Sequence, residues 1–210
     1  MDYHKLLEYK EKVNKRMDEL ILLDNFEISK KYIKGIHKYL FKDIMPNNGN
    51  YRYYNIKRDE IILNEHSVLY EAYNTIDTYL NMEIERIKKV DFDNLSYEEK
   101  IRHIVDTTIN LWIIHPFTDG NTRTITLFIE KYLMYLGYEI NHLYFRKNAN
   151  YFRNAIVKAV YENSDYGVLP DILPLTIFFR NVMNNESIML SRENLIVKEM
   201  FESPVNKGKI

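Results

Sequence analysis

Apolar residues recur at helical spacing along most of this chain. Leu6, Leu7, Val13, Met17, Leu20 and Ile21 share one side of the stretch from Leu6 to Leu23, with Lys and Glu between them, which predicts an amphipathic helix. Ile33, Ile36, His37 and Leu40 do the same between Ser29 and Phe41, and Met45-Pro46-Asn47-Asn48-Gly49-Asn50 closes that segment with turn chemistry. His37 on that apolar face reads as a hydrogen-bonded core histidine. Tyr51 to Leu63 is the one strand-like stretch: YRYYNIKRDEIIL is rich in Tyr and Ile, with Lys57-Arg58-Asp59-Glu60 as the bend of a small β-hairpin. A helix is expected from Ser67 to Leu80 and a loop from Asp91 to Leu95.

The clearest helix follows. Ser96-Tyr97-Glu98-Glu99 has the form of a capping box, and Ile101, Ile104, Val105, Thr108, Leu111 and Trp112 then line one face up to Ile114, where Pro116 stops the helix. From Arg123 to Leu136 apolar residues cover more than one face, predicting a central, largely buried helix that Gly137 ends in the left-handed conformation. Further helices are expected over Asn150–Glu162 and Leu175–Met183, and Ser191 is placed to cap a last short one before Pro204. The tail Asn206-Lys207-Gly208-Lys209-Ile210 reads as a loose terminus.

Composition narrows the class. Only 6 Gly and 5 Pro punctuate 210 residues, which favours a mainly α protein, and 46% hydrophobic residues can fill a real core. With 29 Lys+Arg against 30 Asp+Glu the net charge is −1, which argues against nucleic acid or an anionic membrane as partner. There is no cysteine, so disulfide frameworks, thiolate metal sites and cysteine nucleophiles are excluded. Neither a signal peptide nor a membrane span is legible, and the chain reads as cytoplasmic.

Candidate chemistry is concentrated between the two best helices, in His115-Pro116-Phe117-Thr118-Asp119-Gly120-Asn121-Thr122-Arg123. A helix stop, a short loop and a new helix N-terminus meet there, and the Asp-Gly-Asn turn frees backbone amides at the positive end of the second helix, a ready anion site. Arg123 in a first helical turn opposes the helix dipole, so its charge needs another explanation, such as a phosphate neighbour. Asp119 suits Mg²⁺, which prefers one or two carboxylates plus nucleotide phosphates. His115 could take a proton from an incoming hydroxyl at neutral pH. Spacing alone leaves ordinary turn chemistry as an alternative.

The full string resembles the motif of the Fic family, H-P-F-x-[D/E]-G-N-G-R-x-x-R, through His115, Pro116, Phe117, Asp119, Gly120, Asn121 and Arg123. Ile36-His37-Lys38-Tyr39-Leu40-Phe41, Gly49-Asn50-Tyr51-Arg52 and Asn55-Ile56-Lys57 are similar to the segments that precede the motif in that family, and the likeness runs from about Ile33 to Met183. It implies a Fic-type helical bundle with a small β-hairpin flap. The N-terminal helical segment would span 1–30, the Fic core 31–186, and a short helix with a loose tail 187–210.

In function, the resemblance implies a protein adenylyltransferase: AMP passes from ATP to a Ser, Thr or Tyr hydroxyl of a target protein, or of the chain itself. His115 would be the general base, Asp119 would hold Mg²⁺, and Gly120, Asn121, Thr122 and Arg123 would bind the nucleotide. The flap residues Ile56, Lys57, Arg58, Asp59, Glu60, Ile61 and Ile62 would dock an extended segment of the target by strand addition. A separate antitoxin chain or homo-oligomerisation could restrain the enzyme, and delivery into another cell as an effector is compatible with the sequence.

Two positions depart from the motif: Thr122 replaces its second Gly and Thr126 its second Arg, which grips the γ-phosphate in the family. The related Doc proteins also lack that Arg and transfer the γ-phosphoryl group from an inverted nucleotide, so a Doc-like kinase is the main alternative. An inert binding module and a metal hydrolase using His103, His115 and Asp119 are weaker ones. Arg146 and Arg153 are read as solvated surface charges rather than replacements for the missing guanidinium. Ser67 to Tyr73 resembles the family's inhibitory helix only in part, lacking its final Asn.

Overall fold

The computed structural model describes residues 3–204, so the expected loose tail at 206–210 lies outside the described residues. Eight α-helices occur among them: α1 (Tyr3–Ile21), α2 (Lys30–Leu40), α3 (Ile76–Lys89), α4 (Tyr97–Ile114), α5 (Asn121–Tyr135), α6 (His142–Lys147), α7 (Ala149–Val160) and α8 (Leu173–Asn184). None of these helices is long and apolar enough to cross a membrane.

Helices α4 and α5 form the centre, α5 packed on α1, α2 and α4, and α4 also on α3, α7 and α8. The expected burial of α5 is observed: Ile125, Leu127, Phe128, Ile129 and Leu133 are all fully enclosed. Each such side chain contributes roughly 1.5–3 kcal/mol by leaving water. The capping box of α4 forms, with the Glu99 amide donating to the Ser96 hydroxyl and the Ser96 amide to the Glu99 carboxylate at 2.8 Å. Gly137 (φ 89°) ends α5 in a left-handed turn, in which the Tyr138 amide reaches back to the Leu133 carbonyl at 3.0 Å.

Three expectations need correction. The β-hairpin is not present: no strand occurs among the described residues, only isolated bridges Glu60–His66 and Asn163–Val168. Residues 55–60 do alternate in burial and Glu60 is extended, but the bend lies later, in a 3-10 turn at Ile61–Leu63 followed by left-handed Asn64 and Glu65. Ile62 and Leu63 are pulled into the core there, so the charged Lys57–Glu60 run belongs to the outgoing arm. Ser67 to Tyr73 is the returning arm rather than helix, because Val68 and Tyr70 are buried at a spacing of two, and the helix starts only at Ile76. Beyond the one main-chain bond from Glu60 N–H to the His66 carbonyl (3.1 Å), the two arms are joined through side chains, by Arg58 N–H to the Ser67 hydroxyl (3.0 Å) and Tyr73 N–H to Asn55 (2.9 Å), not by a ladder. Lastly, Ser191 caps nothing: the C-terminal segment makes two 3-10 turns, Glu193–Leu195 and Lys198–Phe201, without a side-chain cap.

Candidate functional site

The motif occupies the joint between α4 and α5, and buried polar contacts determine its shape. α4 ends at His115, which sits at φ 47° with its amide bonded to the Trp112 carbonyl (3.1 Å). Arg52, itself 3% exposed, covers that end: Nε donates to the His115 carbonyl at 2.8 Å, and Nη2 to those of Ile114 (3.3 Å) and Glu71. Its Nη1 donates to the Tyr54 carbonyl at 2.9 Å. A guanidinium at a helix C-terminus both satisfies orphan carbonyls and complements the dipole.

Phe117 is fully buried and stacks on the His37 ring with centroids 3.8 Å apart. His37 accepts from the Gly49 amide at Nδ1 (2.8 Å), so Nε2 carries the proton and donates to the Asp119 carbonyl (3.0 Å). Burial lowers its pKa to about 4, which keeps it neutral in that role. Asn121 closes the loop from the other side, its side chain accepting from the Phe117 amide and donating to the Phe117 carbonyl, both at 2.8 Å. Gly120 has no tolerance for a side chain: φ is 76°, and a Cβ would lie 2.3 Å from the Phe41 ring.

This frame leaves the first amides of α5 without a protein acceptor. The amides of Asn121, Thr122 and Arg123 donate to no protein acceptor among the described residues, whereas Thr124 already bonds the Gly120 carbonyl (3.1 Å) and Gly120 bonds Asp119 Oδ1 (2.7 Å). Three aligned N–H groups at the positive end of a buried helix fit an anion such as phosphate. The Asp119 side chain is 65% exposed and its second oxygen is free of protein donors. No cluster of three His, Cys, Asp or Glu occurs among the described residues, so a cation held by Asp119 would draw its remaining ligands from phosphate and water, as Mg²⁺ does. Thr122 is turned to the Trp112 indole, which donates to its hydroxyl (3.0 Å), and Thr126 bonds back to the Thr122 carbonyl (2.8 Å). Arg123 donates to the Tyr9 hydroxyl on α1 (2.8 Å) and lies over that ring.

His115 is buried at 6% exposure. Its Nδ1 lies 3.2 Å from the Trp112 carbonyl and so carries the proton, leaving Nε2 as the proton acceptor. The ring is covered by Tyr70 at 4.0 Å between centroids. Tyr70 belongs to the returning arm, and its hydroxyl lies 3.5 Å from Glu60, a carboxylate 1% exposed and held bidentately by Arg153 at 2.5 and 2.7 Å. Burial, with the charges of Arg58, Arg52 and Arg153 nearby, lowers the His115 pKa to about 3.

The structure therefore brings His115 and Asp119 through Arg123 together at one joint. The residues expected to form the flap are split in role. Lys57, Asp59 and Ile61 are exposed, Ile56 and Arg58 half-buried, and Glu60 and Ile62 buried. Arg153 and Arg146 are not solvated charges: the first holds Glu60, and the second pairs with Asp18 and with His142 (3.3 Å). His103 bonds the Tyr132 hydroxyl (2.9 Å) and lies twelve residues before His115 on α4, roughly 18 Å along the axis, so it cannot share a metal with it. Sequence reasoning missed Tyr70 and Tyr9, and it named Glu60 and Arg153 without their pairing. Only an apolar or charged residue type marked them, with no spacing to connect them to the motif.

Comparisons with known proteins agree with this architecture. No curated protein matches the chain in sequence. Among solved structures it is similar to the N-terminal Fic domain of an effector protein from Bartonella sp. AR 15-3, with 19% identity and a TM-score of 0.69 over 92% of this chain and 88% of that one. BepC of Bartonella tribocorum with bound AMPPNP is 18% identical, with a TM-score of 0.67 over 86% of this chain and 87% of that one. The N-terminal Fic domain of a putative cell filamentation protein from Bartonella quintana, with bound ADP, is 19% identical, with a TM-score of 0.68 over 86% of each chain. At such identities the likeness speaks for the fold. The family model described as Fic/DOC matches residues 27–133, just over half of the sequence and inclusive of the whole motif, and the chain belongs to the Fic/DOC family.

Proposed function

We propose that this chain is a protein adenylyltransferase that moves AMP from ATP to a Ser, Thr or Tyr hydroxyl of a target protein. One observation carries the reading: three amides without a protein acceptor start α5, at the same joint as an imidazole whose Nδ1 is tied to a carbonyl, leaving Nε2 to receive a proton. AMPPNP and ADP in two of the similar Bartonella proteins support a nucleotide as the anion. The amides of Asn121, Thr122 and Arg123 bind phosphate oxygens, and Arg123 exchanges the Tyr9 hydroxyl for phosphate. Nε2 of His115 takes the proton of the target hydroxyl as its oxygen attacks the α-phosphorus. A P–O bond forms, the bond to the β-phosphate breaks, and pyrophosphate leaves. Such transfer depends mainly on positioning and charge stabilisation. Mg²⁺, held by Asp119, would neutralise phosphate charge.

The imidazole is a weak base while Tyr70 covers it. Triphosphate charge entering beside it favours the protonated form and raises its pKa, so base strength arrives with the substrate. The extended arm at 56–60 offers main chain to a target segment, with Lys57 and Asp59 on its exposed side. An antitoxin chain or a second copy seated on that arm would restrain the enzyme. We place the activity in the cytoplasm, of the producing cell or of one that receives the protein as an effector.

Thr126 favours a second reading, a Doc-like kinase with inverted ATP, because no guanidinium stands at that position. Incubating wild type and His115→Ala with Mg²⁺ and either α- or γ-labelled ATP separates the two. Label on protein from α-labelled ATP, lost in the variant, is expected; label from γ-labelled ATP alone would establish the kinase instead.

A further inference from the structure

Three arginines act electrostatically on His115: Arg52, Arg58 and Arg153. Two are committed. Arg52 spends Nε, Nη1 and Nη2 on four carbonyls and is buried, and Arg153 presents both terminal nitrogens to Glu60. Arg58 differs. Its Nη2 donates to the Thr118 carbonyl inside the motif and lies 3.8 Å from Asp119 Oδ1, and its side chain is 40% exposed. Nε and Nη1 of Arg58 donate to nothing among the described residues. The backbone of the arm is held at this point by the bond from Arg58 N–H to Ser67, which places the residue beside the motif, and the contacts of Nη2 with Thr118 and Asp119 orient its side chain.

The Asp119 carboxylate is the neighbour a phosphate-bound cation would occupy, and a guanidinium beside it with open donors has the planar fork that matches phosphate oxygens. We infer that Arg58 is a substrate-binding residue that grips the distal phosphates of the nucleotide. It supplies from the extended arm the guanidinium that Thr126 does not provide, and thereby decides which phosphorus faces His115. The inference rests on the reading of the site as a triphosphate site.

Titration calorimetry on the full chain with Mg-ATP and with AMP tests it. In wild type, ATP binds more tightly than AMP. In Arg58→Gln, which keeps an amide donor for Thr118 but no charge, the ATP Kd rises by about 10- to 100-fold, the loss of one or two charge-assisted bonds. AMP, which lacks the distal phosphates, changes by less than about threefold. Arg58→Lys, a point charge without the fork, falls between the two. Equal losses for ATP and AMP, or an unchanged ATP Kd in Arg58→Gln, would overturn the assignment of Arg58 while leaving the nucleotide site intact. Absence of any ATP binding by the folded wild type would overturn the site itself and this inference with it. Circular dichroism of each variant establishes that the fold is retained; should Arg58→Gln unfold, the comparison of ATP with AMP in Arg58→Lys decides the matter.

Discussion

Replacing Arg52 by Ala removes four hydrogen bonds from one buried guanidinium to the carbonyls of Ile114, His115, Tyr54 and Glu71. A hydrogen bond to a charged group is worth about 1.5 kcal/mol at the low end, so four come to ~6 kcal/mol. Water can reach the Tyr54 and Glu71 carbonyls, which lie in exposed or half-buried residues, and recovers part of this. The carbonyls of Ile114 and His115 lie in buried residues and stay unpaired. A net loss of about 4 kcal/mol remains, and with a chain of this size it lowers the Tm by roughly 8–16 °C. Calorimetric or dichroism melts at fixed pH measure it. Arg52→Lys should recover only a minor part, since one ammonium cannot serve carbonyls in four directions. Because Arg52 also holds the His115 backbone, the proposed transfer activity should fall below detection even where the variant is still folded. A Tm within 2–3 °C of wild type for Arg52→Ala would refute the view that this side chain supports the end of α4.

Gly120→Ala combines a left-handed backbone with a Cβ 2.3 Å from Phe41, and should cost roughly 3 kcal/mol. A double-mutant cycle with Phe41→Leu should return a coupling above about 1 kcal/mol; additivity would show that the ring is not what excludes the methyl group. His37, His103 and His115 have pKa values lowered from 6.5 to about 4, 4 and 3, mainly by burial. Between those values and 6.5 the unfolded chain holds more protons than the native one, so stability falls as pH drops below 6.5. The slope is up to ~1.4 kcal/mol per pH unit for each histidine, ~4 for the three. His142, raised by its bond to Glu130, opposes them: its contribution is complete below 6.5 and is lost as pH rises through its native value. Urea midpoints should therefore decline from pH 7 to pH 5, and a flat or rising trend would contradict the burial of these rings.

Much of the architecture was legible along the chain because helices announce themselves locally. The capping box at Ser96, the apolar face from Ile101 to Trp112, the all-round apolar α5 and Gly137 depend on neighbours within a turn or two, and each formed as read. The motif likewise lies within nine consecutive residues, so its amides and the His115 and Asp119 side chains could be picked out as candidates before any fold was known. Where the pattern misled, tertiary contacts had overridden it. The period-two alternation of residues 55–60 is that of a strand, yet a strand needs a partner ladder. Here Ile62 and Leu63 enter the core and carry the bend past the charged run. The six-residue α6 is too short to show a period and went unread.

Only the folded chain decided what surrounds the imidazole. Tyr70 over its face, Glu60 and Arg153 behind that ring, Arg52 on its carbonyl and Tyr9 on Arg123 come from separate segments. Nothing in residue order places them together, because their proximity follows from how arms and helices pack and not from spacing along the backbone. The sequence by itself determined the helices, the joint between two of them and the chemical groups carried there. The tertiary structure decided which of those groups are covered, which donors remain open and how strongly the histidine holds a proton, since burial and long-range charge exist only once distant segments meet.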